Sequence, residues 1–176
     1  AADDYTVNKD GETLNDEYNN IYGNGHSFTI DGDAVIYGKV FGAGNDNQDY
    51  DEDASGGNVT INGNANVSYL VYGGRSGKGE AYNNTVNISG GSVKDKVYGG
   101  RSDGSSAHHN TVNISGDAKV IVGTVYGGYS DGGNAYDNEI IISGSANITN
   151  ANLYGRNDEA SGTGNTLTID GWSDST

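Results

Sequence analysis

The fold is decided by two consecutive stretches of sequence, NTVNISGGSVKDKVYGGRSDGSSAHH (Asn84–His109) and NTVNISGDAKVIVGTVYGGYSDGGNAYD (Asn110–Asp137). They are variants of one unit. A unit of this length that repeats at a nearly fixed period is typical of proteins built from stacked coils, because one unit cannot bury its own apolar face. The repeat therefore indicates an architecture in which each unit packs on the units before and after it.

An isoleucine marks the unit through most of the chain and recurs at intervals of 26 to 31 residues. It is found at Ile30, Ile61, Ile88, Ile114, Ile142 and Ile169. An aromatic residue followed by glycine recurs in step with it, at Phe41, Tyr72, Tyr98, Tyr126 and Tyr154. We therefore expect about six coils of 26 to 31 residues, the last of them incomplete.

Within the unit, apolar and polar residues alternate. In TVNIS, Val86 and Ile88 fall on one face and Thr85 and Asn87 on the other, which is the period of a strand. A second short strand is predicted at KVYG, TVYG and NLYG, and a third around residues 65–67, 118–120 and 146–148. The sequence thus predicts an all-β fold, a single-stranded parallel β-solenoid.

We expect one β-solenoid domain over residues 1–176, with an N-terminal coil or cap at 1–25, repeats at 26–170 and a truncated tail at 171–176. The chain begins with Ala1 and contains no Met, which indicates removal of a signal peptide or an engineered start. No cap is predicted for the last coil, and the unpaired strand edges of an uncapped coil can pair with other strands. We therefore expect a fragment of a longer protein, with more solenoid or another molecule stacked beyond Thr176.

Composition taken alone indicates disorder, because Leu, Ile, Val and Phe are only 31 of 176 residues and the net charge is -15. The periodicity of the sequence argues against disorder, since a solenoid needs only a narrow column of inward apolar residues.

The excess of 24 Asp and Glu over 9 Lys and Arg argues against nucleic acid as a partner, because no basic stripe neutralises phosphates. The sequence has no Cys and no apolar run long enough to cross a bilayer.

The units NNTVNISGGSV, VYGGRS, HNTVNISGDAKV and VYGGYS resemble the passenger regions of autotransporter adhesins, which are outer-surface proteins of Gram-negative bacteria. The resemblance covers roughly residues 27–170. It implies a right-handed parallel β-helix, secreted and displayed on the outer cell surface, that serves adhesion, aggregation or biofilm formation. The C-terminal translocating barrel of that family has no counterpart in this sequence.

The aromatic column is the first candidate binding site. Since Val71 and Val97 are predicted to point inward, the tyrosines that follow such positions are predicted to point outward, one coil above another; they are Tyr72, Tyr98, Tyr126 and Tyr154. Such a ladder offers rigid amphipathic rings to glycans or to a protein partner. Like residues on stacked coils also stabilise each other, and this structural interpretation is favoured. Arg75 and Arg101, in the YGGRS corner, are further candidates for partner or glycan contacts.

Asparagine forms a second column, which has Gly57 and His26 at its earlier positions. Amide side chains hydrogen-bond along a stack, so the sequence predicts a buried structural ladder. Its members are Asn84, Asn110, Asn138 and Asn165.

An acidic insertion at residues 45–57 supplies the metal candidates Asp46, Asp49, Asp51 and Asp53. Oxygen ligands of this kind suit calcium, although a solvated acidic loop is the favoured interpretation. The three histidines, His26, His108 and His109, have neither a Cys partner nor the spacing of a metal motif, so the sequence predicts no metal site there. No cofactor other than calcium is expected.

Three functions remain open. We expect a non-enzymatic extracellular segment of an adhesin that binds host or bacterial surface proteins or glycans through its lateral face and the loops at 46–53, 75–82 and 101–109. The alternative is a fibre subunit whose uncapped coils stack end to end on copies of itself. A glycan-cleaving enzyme is least favoured. Arg75 and Arg101 recur at one position of the repeat, and no set of catalytic residues is recognisable around them.

Overall fold

The computed structural model describes residues 2–120 and 123–173. Within these ranges the chain forms short strands and no helix, and the strands pair in parallel from one coil to the next. The prediction of an all-β parallel solenoid is therefore confirmed. The described ranges accordingly hold no helix that could span a membrane.

The repeated isoleucines lie in one sheet, here called the isoleucine sheet. Its seven strands are Glu12–Leu14, Ser27–Ile30, Asn58–Ile61, Thr85–Ile88, Thr111–Ile114, Glu139–Ser143 and Thr166–Asp170. The six isoleucines are in register with one another across these strands. Five complete turns of the solenoid therefore separate Ile30 from Ile169.

The repeated aromatic residues lie in a second sheet, here called the tyrosine sheet. Its strands are Tyr5–Thr6, Ile21–Tyr22, Val40–Phe41, Val71–Tyr72, Arg75–Ser76, Val97–Ser102, Gly123–Ser130 and Ala151–Arg156. Val71 pairs with Val97 and Tyr72 with Tyr98. The equal register of successive coils places identical residue types directly above one another.

Two smaller sheets complete each coil. A valine sheet contains Glu17–Tyr18, Val35–Ile36, Asn66–Val67, Ser92–Val93 and Lys119–Val120. An alanine sheet contains Ala54–Ser55, Ala81–Tyr82, Ala107–His108 and Ala135–Tyr136. Along the chain, each full coil passes from the isoleucine sheet to the valine sheet, then to the tyrosine sheet, and returns through the alanine sheet.

The core is a column of inward valines, isoleucines and alanines. Val86, Ile88, Val93 and Val97 of one coil are completely buried, and the same positions recur in its neighbours. Because each coil shares its apolar residues with the coils above and below, a small apolar fraction suffices for a continuous core.

The two ends of the solenoid differ. The first coil is short, with Leu14 paired to Ile30 after 16 residues, and Val7 and Leu14 are buried within it. The final strand, Thr166–Asp170, is exposed throughout, and Leu167 and Ile169 are 49% and 55% exposed.

Candidate functional site

The three loops expected to contact a partner are neighbours in space. Each follows the tyrosine sheet and leads to the alanine sheet, and each hydrogen-bonds to the loop of the next coil. The backbone N–H of Lys78 donates to the carbonyl of Tyr50 at 2.8 Å, and that of Asp103 donates to the carbonyl of Ser76 at 3.1 Å. A fourth loop continues the row, since the N–H of Asp131 donates to Ser102 at 3.2 Å. We call residues 45–53, 77–80, 103–106 and 131–134 the loop ridge.

A column of buried serines supports the loop ridge. Ser76, Ser102 and Ser130 are in register and fully buried. The hydroxyl of Ser102 donates to the carbonyl of Gly79 in the preceding loop at 2.7 Å and accepts the N–H of Ser105 in its own loop at 2.8 Å. Sequence reasoning missed this column, although a serine recurs in RS, RS and YS at the same place in three units. Each serine fixes the start of one loop and binds it to the loop beneath.

The two arginines lie beside this column in a chain of ion pairs. Arg75 is 4% exposed; its Nη1 lies 2.7 Å from Asp46 and its Nη2 lies 2.6 Å from Asp103. Arg101 contacts Asp103 at 3.1 Å and Asp131 at 3.5 Å. The prediction of Arg75 as a contact residue needs correction, because both ends of its guanidinium group are already engaged within the protein. Arg101 is half-buried and also engaged.

The predicted aromatic ladder is present as a stack of rings. Adjacent ring centroids are 4.9 to 5.6 Å apart through Tyr22, Phe41, Tyr72, Tyr98, Tyr126 and Tyr154.

The centre of the aromatic ladder is buried, whereas the sequence predicted outward-pointing, accessible rings. Tyr72 and Tyr98 are 2% and 3% exposed, and with Leu70 and Phe41 they form an apolar cluster outside the main core. The alternation of residues along the strand shows only that these rings point away from the main core. It does not show that they are buried in a second apolar cluster. They are unavailable to a glycan, whereas Tyr154 is 43% exposed.

Burial changes the acidity of the central rings. Desolvation raises the pKa of Tyr98 to about 12, and the positive charge of Arg101 opposes part of that rise. Desolvation also raises the pKa of Tyr72 above its ordinary value of 10.0, against the charges of Arg101 and Arg75. Both phenols are therefore held in their neutral form well into the alkaline range.

The acidic residues proposed for calcium do not converge. Asp46 pairs with Lys39 and Arg75, Asp49 lies 3.4 Å from Lys78, and Asp53 accepts the N–H of Glu80 at 2.8 Å. Asp51 is exposed on the same loop. Across residues 2–120 and 123–173, no group of three or more His, Asp or Glu side chains is arranged to hold a metal ion. The carboxylates of Asp46, Asp49 and Asp53 instead contact separate partners, which are lysine and arginine side chains or a backbone N–H.

The asparagine column is a continuous ladder of hydrogen bonds. The side-chain Nδ2 of Asn84 donates to Oδ1 of Asn110, Asn110 donates to Asn138, and Asn138 donates to Asn165, each at 3.0 Å. Each amide also donates to a carbonyl of the alanine sheet or its flank, as Asn110 does to Ala81 at 3.0 Å. Asn84, Asn110 and Asn138 are buried. The ladder satisfies polar groups in the turn that joins the alanine sheet to the isoleucine sheet.

Comparison of this chain with protein-family models, with curated proteins and with solved structures returns no match.

Proposed function

We propose that this chain is a non-enzymatic, extracellular β-solenoid segment of a bacterial surface adhesin, and that its loop ridge makes the adhesive contact. The observation that carries this proposal is the stacking of four loops along one side of the solenoid, joined by backbone hydrogen bonds and by the buried serines. A repeat protein uses such a lateral surface for binding because every coil contributes a loop to it.

The ridge combines a fixed base with exposed polar side chains. Asp49, Asp51 and Asp131 are exposed along it, with Lys78 between them. Because the backbone beneath is hydrogen-bonded from coil to coil, little conformational entropy is lost when a partner binds. The excess of carboxylates favours a basic protein surface or an uncharged glycan and disfavours anionic polymers.

End-to-end assembly is the second candidate, and one observation favours it. Leu167 and Ile169 are half-exposed on the final strand, whereas Ile140 and Ile142, their partners in the previous coil, are fully buried. Electron microscopy over a range of concentrations distinguishes the candidates: isolated short rods support the adhesin segment, and filaments that lengthen with concentration support the fibre.

Adhesion is tested with the labelled full chain against bacterial cells, epithelial cells, and immobilised neutral and acidic glycans. We expect saturable binding to at least one cell type, weakened by salt because the ridge is charged. Uniform absence of binding would refute the proposal. Release of new reducing ends or unsaturated sugars from the same glycans would instead support the enzyme.

A further inference from the structure

A second aromatic column lies on the alanine sheet, and it contains a histidine. Tyr82, His108 and Tyr136 occupy the same position of three successive coils. The ring of His108 is stacked between the two tyrosines, with centroids 5.1 and 4.7 Å away and planes inclined by 4° in both pairs. The imidazole of His108 is therefore fixed in its orientation.

The next residue, His109, is fixed by the backbone. It lies in the left-handed region with φ of 54°, as do Asn83 and Asp137 at the same position of the adjacent coils. This turn leads into the buried asparagine ladder and sets the ring of His109 almost perpendicular to that of His108, at 83°. As a result, Nδ1 of His108 and Nδ1 of His109 are 2.8 Å apart.

Each imidazole has a carboxylate at its other nitrogen. Nε2 of His108 lies 3.4 Å from Glu80, and Nε2 of His109 lies 3.7 Å from Asp137. A neutral histidine carries one N–H, and a neighbouring carboxylate favours placing that hydrogen on the nitrogen that faces it. Both Nδ1 atoms then present lone pairs to each other.

Two lone pairs at 2.8 Å repel unless a cation lies between them. When one ring carries its hydrogen on Nδ1, the same separation is an N–H···N hydrogen bond of ordinary length. When both rings carry it on Nε2, a divalent metal ion can bind both Nδ1 atoms, and its charge balances the two carboxylates. Histidines that bind a metal commonly donate their other N–H to a carboxylate, which orients the ring and raises its basicity. Nε2 of His108 lies within hydrogen-bond distance of Glu80, whereas Asp137 lies within ion-pair distance of Nε2 of His109, at 3.7 Å, and forms no hydrogen bond with it.

We propose that Nδ1 of His108 and Nδ1 of His109 together bind a divalent transition-metal ion, with Cu²⁺ preferred. With metal–nitrogen bonds of about 2.0 Å, cis ligands of a square-planar ion lie about 2.8 Å apart, whereas tetrahedral ligands lie about 3.3 Å apart. The observed separation of 2.8 Å corresponds to the square-planar value. Water completes the coordination, because His109 is exposed at the surface.

This site depends on neighbours from three coils, and the sequence offers no motif for it. Glu80 precedes His108 by a full coil, and Asp137 follows His109 by another. The pair also lies outside the groups of three or more ligands by which metal centres are usually recognised, because protein supplies only two of the ligands.

The repeat supplies conservative variants for the test. His108→Tyr installs the residue that adjacent coils carry at this position, and His109→Asn installs the residue that holds the same left-handed turn at Asn83. Both substitutions remove a ligand nitrogen while keeping the local structure. His26→Asn, which changes the remaining histidine near the other end of the solenoid, is the control.

The experiment is a calorimetric titration of the full chain, free of any histidine tag, with CuCl₂, together with electron paramagnetic resonance of the copper. We expect one equivalent of Cu²⁺ with nitrogen coupling in the spectrum, an affinity lowered about tenfold or more in either pair variant, and no change in His26→Asn. Thermal unfolding of the wild type should shift upward with copper, and that of the pair variants should not. Equal copper affinity and spectra in the wild type and in the double variant would overturn the proposal, as would absence of copper binding by the wild type.

Discussion

Arg75 and Asp103 lie on successive coils, and Nη2 of Arg75 is 2.6 Å from Oδ2 of Asp103. The other terminal nitrogen of Arg75 reaches Asp46 of the preceding coil. A single buried guanidinium group thus connects three coils at the base of the loop ridge. Arg75 therefore joins the bases of three of the four ridge loops.

Replacement of Arg75 by Met is expected to lower the free energy of unfolding by about 3 kcal/mol, because the carboxylates of Asp46 and Asp103 lose a buried partner. Lys78→Met is the matched control, since the pair between Lys78 and Asp49 is exposed and 3.4 Å long; its effect should be less than about 1 kcal/mol. Urea denaturation of the two variants measures the difference. Similar losses in both would show that burial of Arg75 contributes nothing.

Asn110→Ala is expected to destabilise the chain by about 3 kcal/mol, because it removes the acceptor of the backbone and side-chain N–H groups of Asn84 and a donor to the carbonyl of Ala81 in a buried turn. Asn113→Ala, in the following strand, removes a single bond to Asn87 on the outer face. That control should lose less than about 1 kcal/mol. The comparison is made by urea denaturation, and equal destabilisation would contradict a structural role for the ladder.

Tyr72→Ala should cost about 3 to 5 kcal/mol, since it opens a cavity between the rings of Phe41 and Tyr98. Tyr154→Ala removes a ring that is 43% exposed and should cost clearly less. Thermal unfolding measures both effects. If Tyr72→Ala left stability unchanged but abolished binding to cells, the central rings would be contact residues after all.

Alkaline pH should destabilise the protein through its buried phenols. The folded-state pKa of Tyr98 is about 12, above the value of about 10 expected in the unfolded chain. A raised pKa gives a stabilisation that is fully present below about pH 10 and is lost as the pH rises through about 12. The free energy of unfolding and the ultraviolet absorbance of phenolate, followed together, test this. Tyr98→Phe should flatten the decline, and ionisation of every tyrosine near pH 10 in the folded chain would refute it.

The fold could be predicted because its determinants are periodic. The alternation of Val86 and Ile88, repeated at nearly constant intervals, specifies which residues face inward and which residues stack. The asparagine positions were recognisable for the same reason, since a polar residue that repeats in register can hydrogen-bond along the stack.

Burial outside the core could not be predicted in this way. Alternation places Tyr72 outside the main core, but it does not show that Leu70 and neighbouring rings cover it. The pairing of Arg75 likewise depends on an aspartate from an irregular insertion, Asp46, whose position no period specifies. The convergence of His108 and His109 depends on a left-handed turn, which the residue types alone do not reveal.

The proposed adhesive contact of the loop ridge can be tested with two sets of substitutions. A ridge variant combines Asp49→Ala, Asp51→Ala and Lys78→Ala, all exposed positions. The matched control combines Asp33→Ala, Asp117→Ala and Lys119→Ala. The control residues are of the same types and are also exposed. Lys119 lies in the valine sheet, and Asp33 and Asp117 lie in the turns that lead into it.

The most direct measurement is the equilibrium binding of these two labelled variants, and of the wild type, to cells that the wild type binds, after circular dichroism has shown that all three are equally folded. We expect the ridge variant to bind about tenfold or more weakly and the control to bind as the wild type does. Undiminished binding by the ridge variant, or an equal loss in the control, would contradict the proposed contact.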